Sequence, residues 1–305
     1  MSGVGGHDVP SLVRAAREAV LHVDGGALEA TGFCVVEART GKPCVITNAH
    51  VVGGTERLCA RLYDDREVEA HVRFAEPTLD VAVLDLAEEP IGTLPLRAIR
   101  DVRLGEPVVA IGSAYGMEGT VSAGIISGID RSEEFMGSRI ENLLLTDALI
   151  GEGNSGGPLL GADGRVLGVN TLLLEDPHGD PSGFGYAIPA SAVEIALLDH
   201  HRHGAVRRGT LGLHTEMREL TASEQRRWGV LSGLVVTASP CSGTPGQRAG
   251  VRRGDLIVAL DGRPVSHAGD IFALLDHSRI EKHCEIDVIR MGERISLGIE
   301  PAPRA

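Results

Sequence analysis

From Gly32 to Pro189 the chain runs as short apolar segments cut off by Gly, Asp or Pro: GFCVVEA, PCVITNA, RLCARLYD, REVEAHVRFAE, VAVLDL, EPVVAIG, TVSAGIISGI, NLLLTDALI, GPLLGADGRVLGVNTLLL and GFGYAIP. Runs this short, bounded by turn formers, read as strands rather than helices. The first two are joined by RTGK, where Gly41 supplies the positive φ of a hairpin turn. A series of this length hides its sheet edges as a sandwich or a pair of barrels. The 40 glycines and the scarcity of aromatics, at 3%, agree with a fold rich in tight turns.

The rhythm breaks at both ends. Residues 10–20 read as a short amphipathic helix with Leu12, Val13 and Ala16 on one side. After Pro189, PASAVEIALLDHHRHG carries a partial helical stripe of Val193, Ala196, Leu197 and Leu198, with Gly204 as its stop. HHRHGAVRRG is a polar linker. A second block begins near Gly209, with GLVVTAS, DLIVALDG, CEIDVIR and RISLGIE as strands and HAGDIFALLDH as a helix. The 305 residues therefore divide into about two domains. The expected bounds are an N-terminal segment over 1–26, a β-domain over 27–200, a linker over 201–206 and a smaller domain over 207–302.

Composition excludes several classes of function. The net charge of -13 argues against a nucleic-acid surface, which needs clustered Lys and Arg. No stretch approaches the roughly 18 apolar residues of a transmembrane helix. The first residues, MSGVGGHDVPSLVRAAREAVLHVDGG, show no basic region followed by an apolar one, so no secretory signal is expected and the cytoplasm is the compartment they suggest. Cys34, Cys44, Cys59, Cys241 and Cys284 are an odd, scattered set that fits reduced thiols. Cys34 and Cys44 flank the Gly41 turn, and a hairpin there is expected to bring them near each other. No spacing calls for a metal, and His200, His201 and His203 lack a carboxylate or Cys motif to complete a site.

Three stretches carry chemistry, in the order His, Asp, Ser: TNAHVV with His50, TLDVAVL with Asp80 and GEGNSGGPLL with Ser155. Alone, each is an ordinary polar residue or a Gly-rich turn. Together they are the parts of an activated nucleophile. A serine hydroxyl needs a neighbouring base, and histidine titrates near neutrality. A buried carboxylate fixes the imidazole tautomer and stabilises the imidazolium. Around Ser155, Gly153 and Asn154 leave the backbone N–H groups free to converge on a developing oxyanion. Gly156 and Gly157 allow a tight exit.

TNAHVV, LDVAVLDL, TVSAGIISGIDR, TDALIGEGNSGGPLL, GRVLGVNT and GFGYAIP resemble, in this order, the blocks of the HtrA/Deg family of trypsin-like serine proteases. The resemblance runs from about residue 10 to 302. It implies an all-β protease domain of two six-stranded antiparallel β-barrels, chymotrypsin-like, with the active site between them and a C-terminal α+β PDZ domain behind. By position, His50 is the general base, Asp80 its orienting carboxylate and Ser155 the nucleophile. Gly153, Asn154 and Ser155 form the oxyanion loop, with the amides of Gly153 and Ser155 as donors. Leu149, Asn170, Thr171 and Leu172 are the implied substrate-binding residues. Leu149 stands six residues before the nucleophile, where proteases that cut after Arg or Lys carry Asp, so small or medium aliphatic P1 residues are expected. No cofactor is implied. The implied partners are unfolded protein substrates and peptide C-termini. The family also implies an extracytoplasmic or periplasmic setting and a homotrimer, although the N-terminal segment lacks the aromatic residues that lock the family's trimer. Gly151-Glu152 replaces the family's usual Asn-Pro, and Glu152 is expected to face solvent, away from the oxyanion.

In the second domain RRGTLGLHTE takes the place of the family's carboxylate-binding loop and first groove strand, with Leu211, Gly212 and Leu213 at its centre. RAGVRRGDLIVALDGRPV is its most specific block. The physics is strand addition, with a peptide C-terminus pairing along an exposed edge. Ile271, Leu274 and Leu275 either line that groove or belong to the core. RSEEFMGSRIE (131–141) sits where the family's regulatory loop links the PDZ domain to the active site, with Arg131 as a contact. Two functions stay open at this stage: an ATP-independent endopeptidase, and a non-catalytic chaperone or peptide-binding scaffold that keeps the protease fold. An α/β-hydrolase esterase is not expected, because its order of Ser, acid and His is the reverse.

Overall fold

The computed structural model describes residues 9–24, 29–98, 102–113, 116–136, 138–175, 178 and 180–303. Of the N-terminal segment 1–26, residues 1–8 and 25–26 therefore lie outside the described residues. The chain divides into two compact units, one ending at Leu198 and the other beginning at Asp199. No described helix is long and apolar enough to cross a membrane.

In the first unit, α1 (Val9–Ala16) and a 3-10 turn lead into the strands. β1 (Val20–Asp24), β2 (Glu29–Val36), β3 (Pro43–Thr47), β4 (Arg57–Arg61), β5 (Glu67–Glu76) and β6 (Val81–Leu86) close into an antiparallel barrel in the order β1-β2-β3-β6-β5-β4. Gly41, at φ 67, turns the chain between β2 and β3. The register of this hairpin pairs Cys34 with Val45 and Cys44 with Val35, not the two cysteines with each other. Strand alternation sends Leu58 and Ala60 of β4 inward, where Val23, Val45, Val52 and Leu84 join them. β7 (Pro107–Gly112), β8 (Thr120–Phe135), β9 (Ser138–Thr146), β10 (Pro158–Gly161), β11 (Val166–Glu175) and β12 (Pro181–Pro189) close a second barrel in the order β10-β11-β12-β9-β8-β7. Its core holds Val108, Ile126, Leu144, Leu159, Leu167 and Ala187. The pair of six-stranded antiparallel barrels is the expected architecture.

One segment differs from its reading as a loop. β8 and β9 continue past the barrel as a ribbon, pairing Glu133 with Ile140 and Phe135 with Ser138. Its RSEEF stretch shows no apolar face that would advertise a strand: Arg131 and Glu134 are exposed, and Ser132, Glu133 and Phe135 are half-buried. The register shifts three times between Ile126 and Glu133, and Asp130 (φ 58) and Asn142 (φ 63) take left-handed conformations. Such bulges bend a ribbon sharply.

The chain leaves the second barrel through α3 (Ala190–His203), which Gly204 ends at φ 69. The helix thus runs into residues 201–203, read above as linker. In the second unit β14 (Thr215–Glu219), β15 (Ser232–Val236), β16 (Leu256–Leu260), β18 (Cys284–Arg290) and β19 (Glu293–Ile299) form one sheet in that order. The short β17 (Arg263–Pro264) pairs with β16, and β13 (Gly209–Thr210) pairs with β20 (Ala302–Pro303). α4 (Ala222–Trp228) starts with a capping box of Thr221 and Glu224. α5 (Pro245–Arg248) and α6 (Ala268–Leu274) complete the unit. Leu211, Leu234, Val236, Ile257, Ile286 and Val288 form its core. A buried Arg208 guanidinium holds Asp199 at 2.8 Å and donates to the carbonyl of Ala273 at 3.3 Å.

Candidate active site

His50 lies on the single-turn helix α2 (Ala49–Val52), which leaves the end of β3 and closes on Gly53 at φ 53. Asp80 occupies the turn before β6 and is 3% exposed. Its φ of 52 is left-handed, a conformation that Asp tolerates better than most residues. Three donors meet its carboxylate. The imidazole Nδ1 lies 2.9 Å from both oxygens, the His50 amide donates to Oδ1 at 3.0 Å, and Thr171 Oγ1 donates to Oδ2 at 2.6 Å. Asn48 Nδ2 holds the Asp80 carbonyl at 3.0 Å. A carboxylate only accepts, so Nδ1 carries the hydrogen and Nε2 of the neutral ring keeps its lone pair.

Ser155 sits on the loop between the end of β9 and β10, and here the backbone makes the bonds. Asn154 N–H donates to Gly151 O at 3.0 Å, Gly156 N–H to Asn170 O at 2.8 Å and Gly157 N–H to Asn154 O at 3.0 Å. The first barrel reaches across: Thr31 of β2 donates its amide to Ser155 O at 2.9 Å and its hydroxyl to Gly153 O at 2.7 Å. Thr47 in turn donates to Thr31 O at 2.8 Å. Gly156 has φ 84, and a Cβ there would run into Thr31 O and Thr47 Oγ1. Gly153 has φ 90. Among the described residues the N–H groups of Gly153 and Ser155 have no protein acceptor, as an oxyanion site requires. The Ser155 hydroxyl donates to Thr171 O at 3.0 Å.

Leu149 is 54% exposed, and its carbonyl accepts from Ser122 Oγ at 2.8 Å and Asn154 Nδ2 at 3.3 Å. Ile150 next to it is buried against Gly185. Asn170 is fully buried, its amide donating to Pro158 O at 3.3 Å. Thr171 is buried with its hydroxyl on Asp80, and Leu172 is half-buried. β10 pairs with β11 only as far as Val169, so the Leu172–Leu174 stretch is paired on its β12 side alone. Glu152 is exposed. The residues that sequence reasoning missed are Thr31, Asn48 and Phe135. The Phe135 ring, at the end of β8, meets the His50 ring edge to face, with centroids 5.2 Å apart and planes at 76°.

In the second unit Gly212 turns at φ 63 against Thr244. The buried Leu211 accepts from Gly246 N–H at 2.8 Å through its carbonyl. Leu213, Met217, Ile271 and Leu274 are partly buried on the rim of this unit's core, while Leu275 is buried within it. β14 pairs with β15 alone among the described strands, which leaves its outer edge open beside α6.

The chain matches the trypsin-like peptidase domain over residues 30–169 and the PDZ domain over 236–290. It is 32% identical to the putative serine protease HhoA of Synechocystis, covering 85% of this chain and 67% of that protein. The chain belongs to the HtrA/Deg family of serine proteases. Other HtrA/Deg relatives include the chloroplastic Protease Do-like 1 of Arabidopsis thaliana, 34% identical over 85% of this chain and 61% of that one. The periplasmic serine endoprotease DegP of Escherichia coli is 30% identical over 85% of this chain and 54% of its own length. The chain thus spans roughly half to two thirds of the curated relatives it matches. Among solved structures, the HtrA-type protease AlgW with tripeptide aligns at a TM-score of 0.67 and 29% identity, covering 97% of both chains. The serine endoprotease from Yersinia pestis aligns at 0.61 and 25% identity over 100% of both.

Proposed function

We propose that this HtrA/Deg chain is an ATP-independent serine endopeptidase that cuts unfolded proteins after small or medium aliphatic residues, and that its PDZ domain binds peptide C-termini. The observation that carries the reading is the pairing of two arrangements: a buried Asp80 carboxylate that fixes the His50 ring, and a Ser155 loop with two N–H groups that have no acceptor among the described residues.

The Ser155 hydroxyl first leaves Thr171 O, a hydrogen bond worth about 1 kcal/mol, and turns to His50 Nε2. Its Oγ attacks the peptide carbonyl carbon while its proton passes to Nε2. Asp80 stays ionised and stabilises the imidazolium. The carbonyl oxygen takes up the electron pair and is met by the N–H groups of Gly153 and Ser155. Collapse expels the amine, which takes the proton from Nε2, and water repeats the sequence on the acyl group. Substrate lies along the open Leu172–Leu174 edge, and the absence of a charge at Leu149 leaves basic P1 residues without a partner. In the PDZ domain the open edge of β14 receives a peptide as an added strand, with the 211–213 loop at its carboxylate end.

A fluorophosphonate probe and casein test the enzyme. Labelling of the wild type that is lost in Ser155→Ala, with cleavage mapped after aliphatic residues, is the expected result. Absence of labelling and of cleavage with every effector peptide tried overturns it in favour of a non-catalytic scaffold.

A further inference from the structure

We propose that Phe135 selects the P2 residue of the substrate, the one preceding the residue whose carbonyl is attacked, by filling the space beside the His50 imidazole. The inference rests on the serine-endopeptidase reading above.

Three observations place it there. First, the half-buried Phe135 ring contacts the imidazole edge to face at 5.2 Å, a favoured aromatic geometry. Its neighbours Glu134 and Met136 are exposed, Met136 to 79%. Second, the ribbon is fastened in this position. Glu133 and Phe135 lie two apart on a strand and share a face. Glu133 accepts from the Tyr186 hydroxyl of β12 at 3.3 Å. Burial and the neighbouring Glu133 carboxylate push that phenol's pKa up, so it stays protonated as a donor. Third, the sharp bend in the β8–β9 ribbon is built into its backbone by the three register shifts and the left-handed Asp130 and Asn142.

The consequence follows from strand geometry. A substrate whose scissile carbonyl lies at Ser155 runs its acyl side along the unpaired edge of Leu172–Leu174. Successive side chains of an extended chain point to opposite sides. With P1 on the side of Leu149 and Leu172, as the proposed function has it, P2 points to the opposite side, towards the imidazole. Phe135 already occupies that side. Small P2 side chains fit beneath the ring, whereas Leu or Phe collide with it.

The test is a set of fluorogenic peptides with Val at P1 and Ala, Val, Leu or Phe at P2, hydrolysed by the wild type, Phe135→Ala and Phe135→Trp. The readout is the ratio of kcat/KM for large over small P2, so that changes common to all peptides cancel. The ratio should rise about ten-fold or more in Phe135→Ala, since pocket contacts of this size discriminate by roughly 10–200-fold, and fall in Phe135→Trp. A ratio within two-fold of wild type overturns the proposal, as does an equal rate rise for every peptide, which would make the ribbon an indiscriminate cover. Melting curves confirm that both variants fold. Fluorophosphonate labelling of the wild type separates the two levels: no labelling removes the peptidase reading and this inference together, while labelling with an unchanged ratio removes only the inference.

Discussion

The His50–Asp80 pair on the first barrel and Ser155 on the second are held by different kinds of bond. His50 and Asp80 are fixed through side chains: Asp80 gathers an imidazole, an amide and the Thr171 hydroxyl, and Asn48 holds its carbonyl. Ser155 is fixed through its backbone, by glycines at φ 90 and 84 and by the close approach of Thr31. A charged pair needs its lone pairs satisfied to be buried. An oxyanion site needs N–H groups left unsatisfied and held still. Backbone anchoring meets the second demand without spending those donors.

This contrast can be broken. Ser155→Ala and His50→Ala should each lower kcat by about 10^6-fold, and Asp80→Asn by about 10^4-fold, measured by peptide hydrolysis. A loss of only ten-fold in Asp80→Asn would mean that the carboxylate does not set the imidazole tautomer. Gly156→Ala, which forces Cβ into Thr31 O and a left-handed φ on alanine, should cost about 2–4 kcal/mol of stability and abolish activity. An unchanged melting temperature in that variant would show that the two barrels do not meet as tightly as described. Thr171→Val removes one donor from a buried carboxylate at a cost of about 1–3 kcal/mol, so kcat should fall roughly 5- to 150-fold. A KM effect alone would make Thr171 a substrate contact instead.

The smallest expected effect concerns rigidity of the first barrel. Burial pushes the thiols of Cys34 and Cys44 up to about 12. They are therefore neutral as well as inaccessible at pH 8. An aromatic disulfide reagent should titrate the exposed Cys59 and Cys241 quickly in the native protein, and Cys34, Cys44 and Cys284 only after unfolding. Rapid reaction of Cys34 or Cys44 would show the first barrel opening and would erase the contrast.

The barrels were legible in the sequence because each strand alternates or is wholly apolar between turn formers, as in VAVLDL. The proposed triad residues stood out in the sequence because short motifs carry them. Thr31 was not, because its bonds to the serine loop join residues far apart in sequence, and a threonine within a strand looks like any other. Thr171 was placed at the substrate, and nothing in GRVLGVNT announces that its hydroxyl lies on a carboxylate 91 residues earlier. Phe135 was hidden for a different reason. RSEEFMGSRIE is polar enough to read as a loop, and three changes of register decide where its one aromatic side chain lands.

The bonds from Thr31 to the serine loop give the chain an order of events. β2 is made long before Ser155 during synthesis, and the Ser155 loop closes against it through the amide and hydroxyl of Thr31. A full-length polypeptide whose barrels have not yet met carries His50, Asp80 and Ser155 but lacks the Thr31 bonds that hold the Gly153 and Ser155 carbonyls. On the proposed function, the onset of peptidase activity would report that the two barrels have docked.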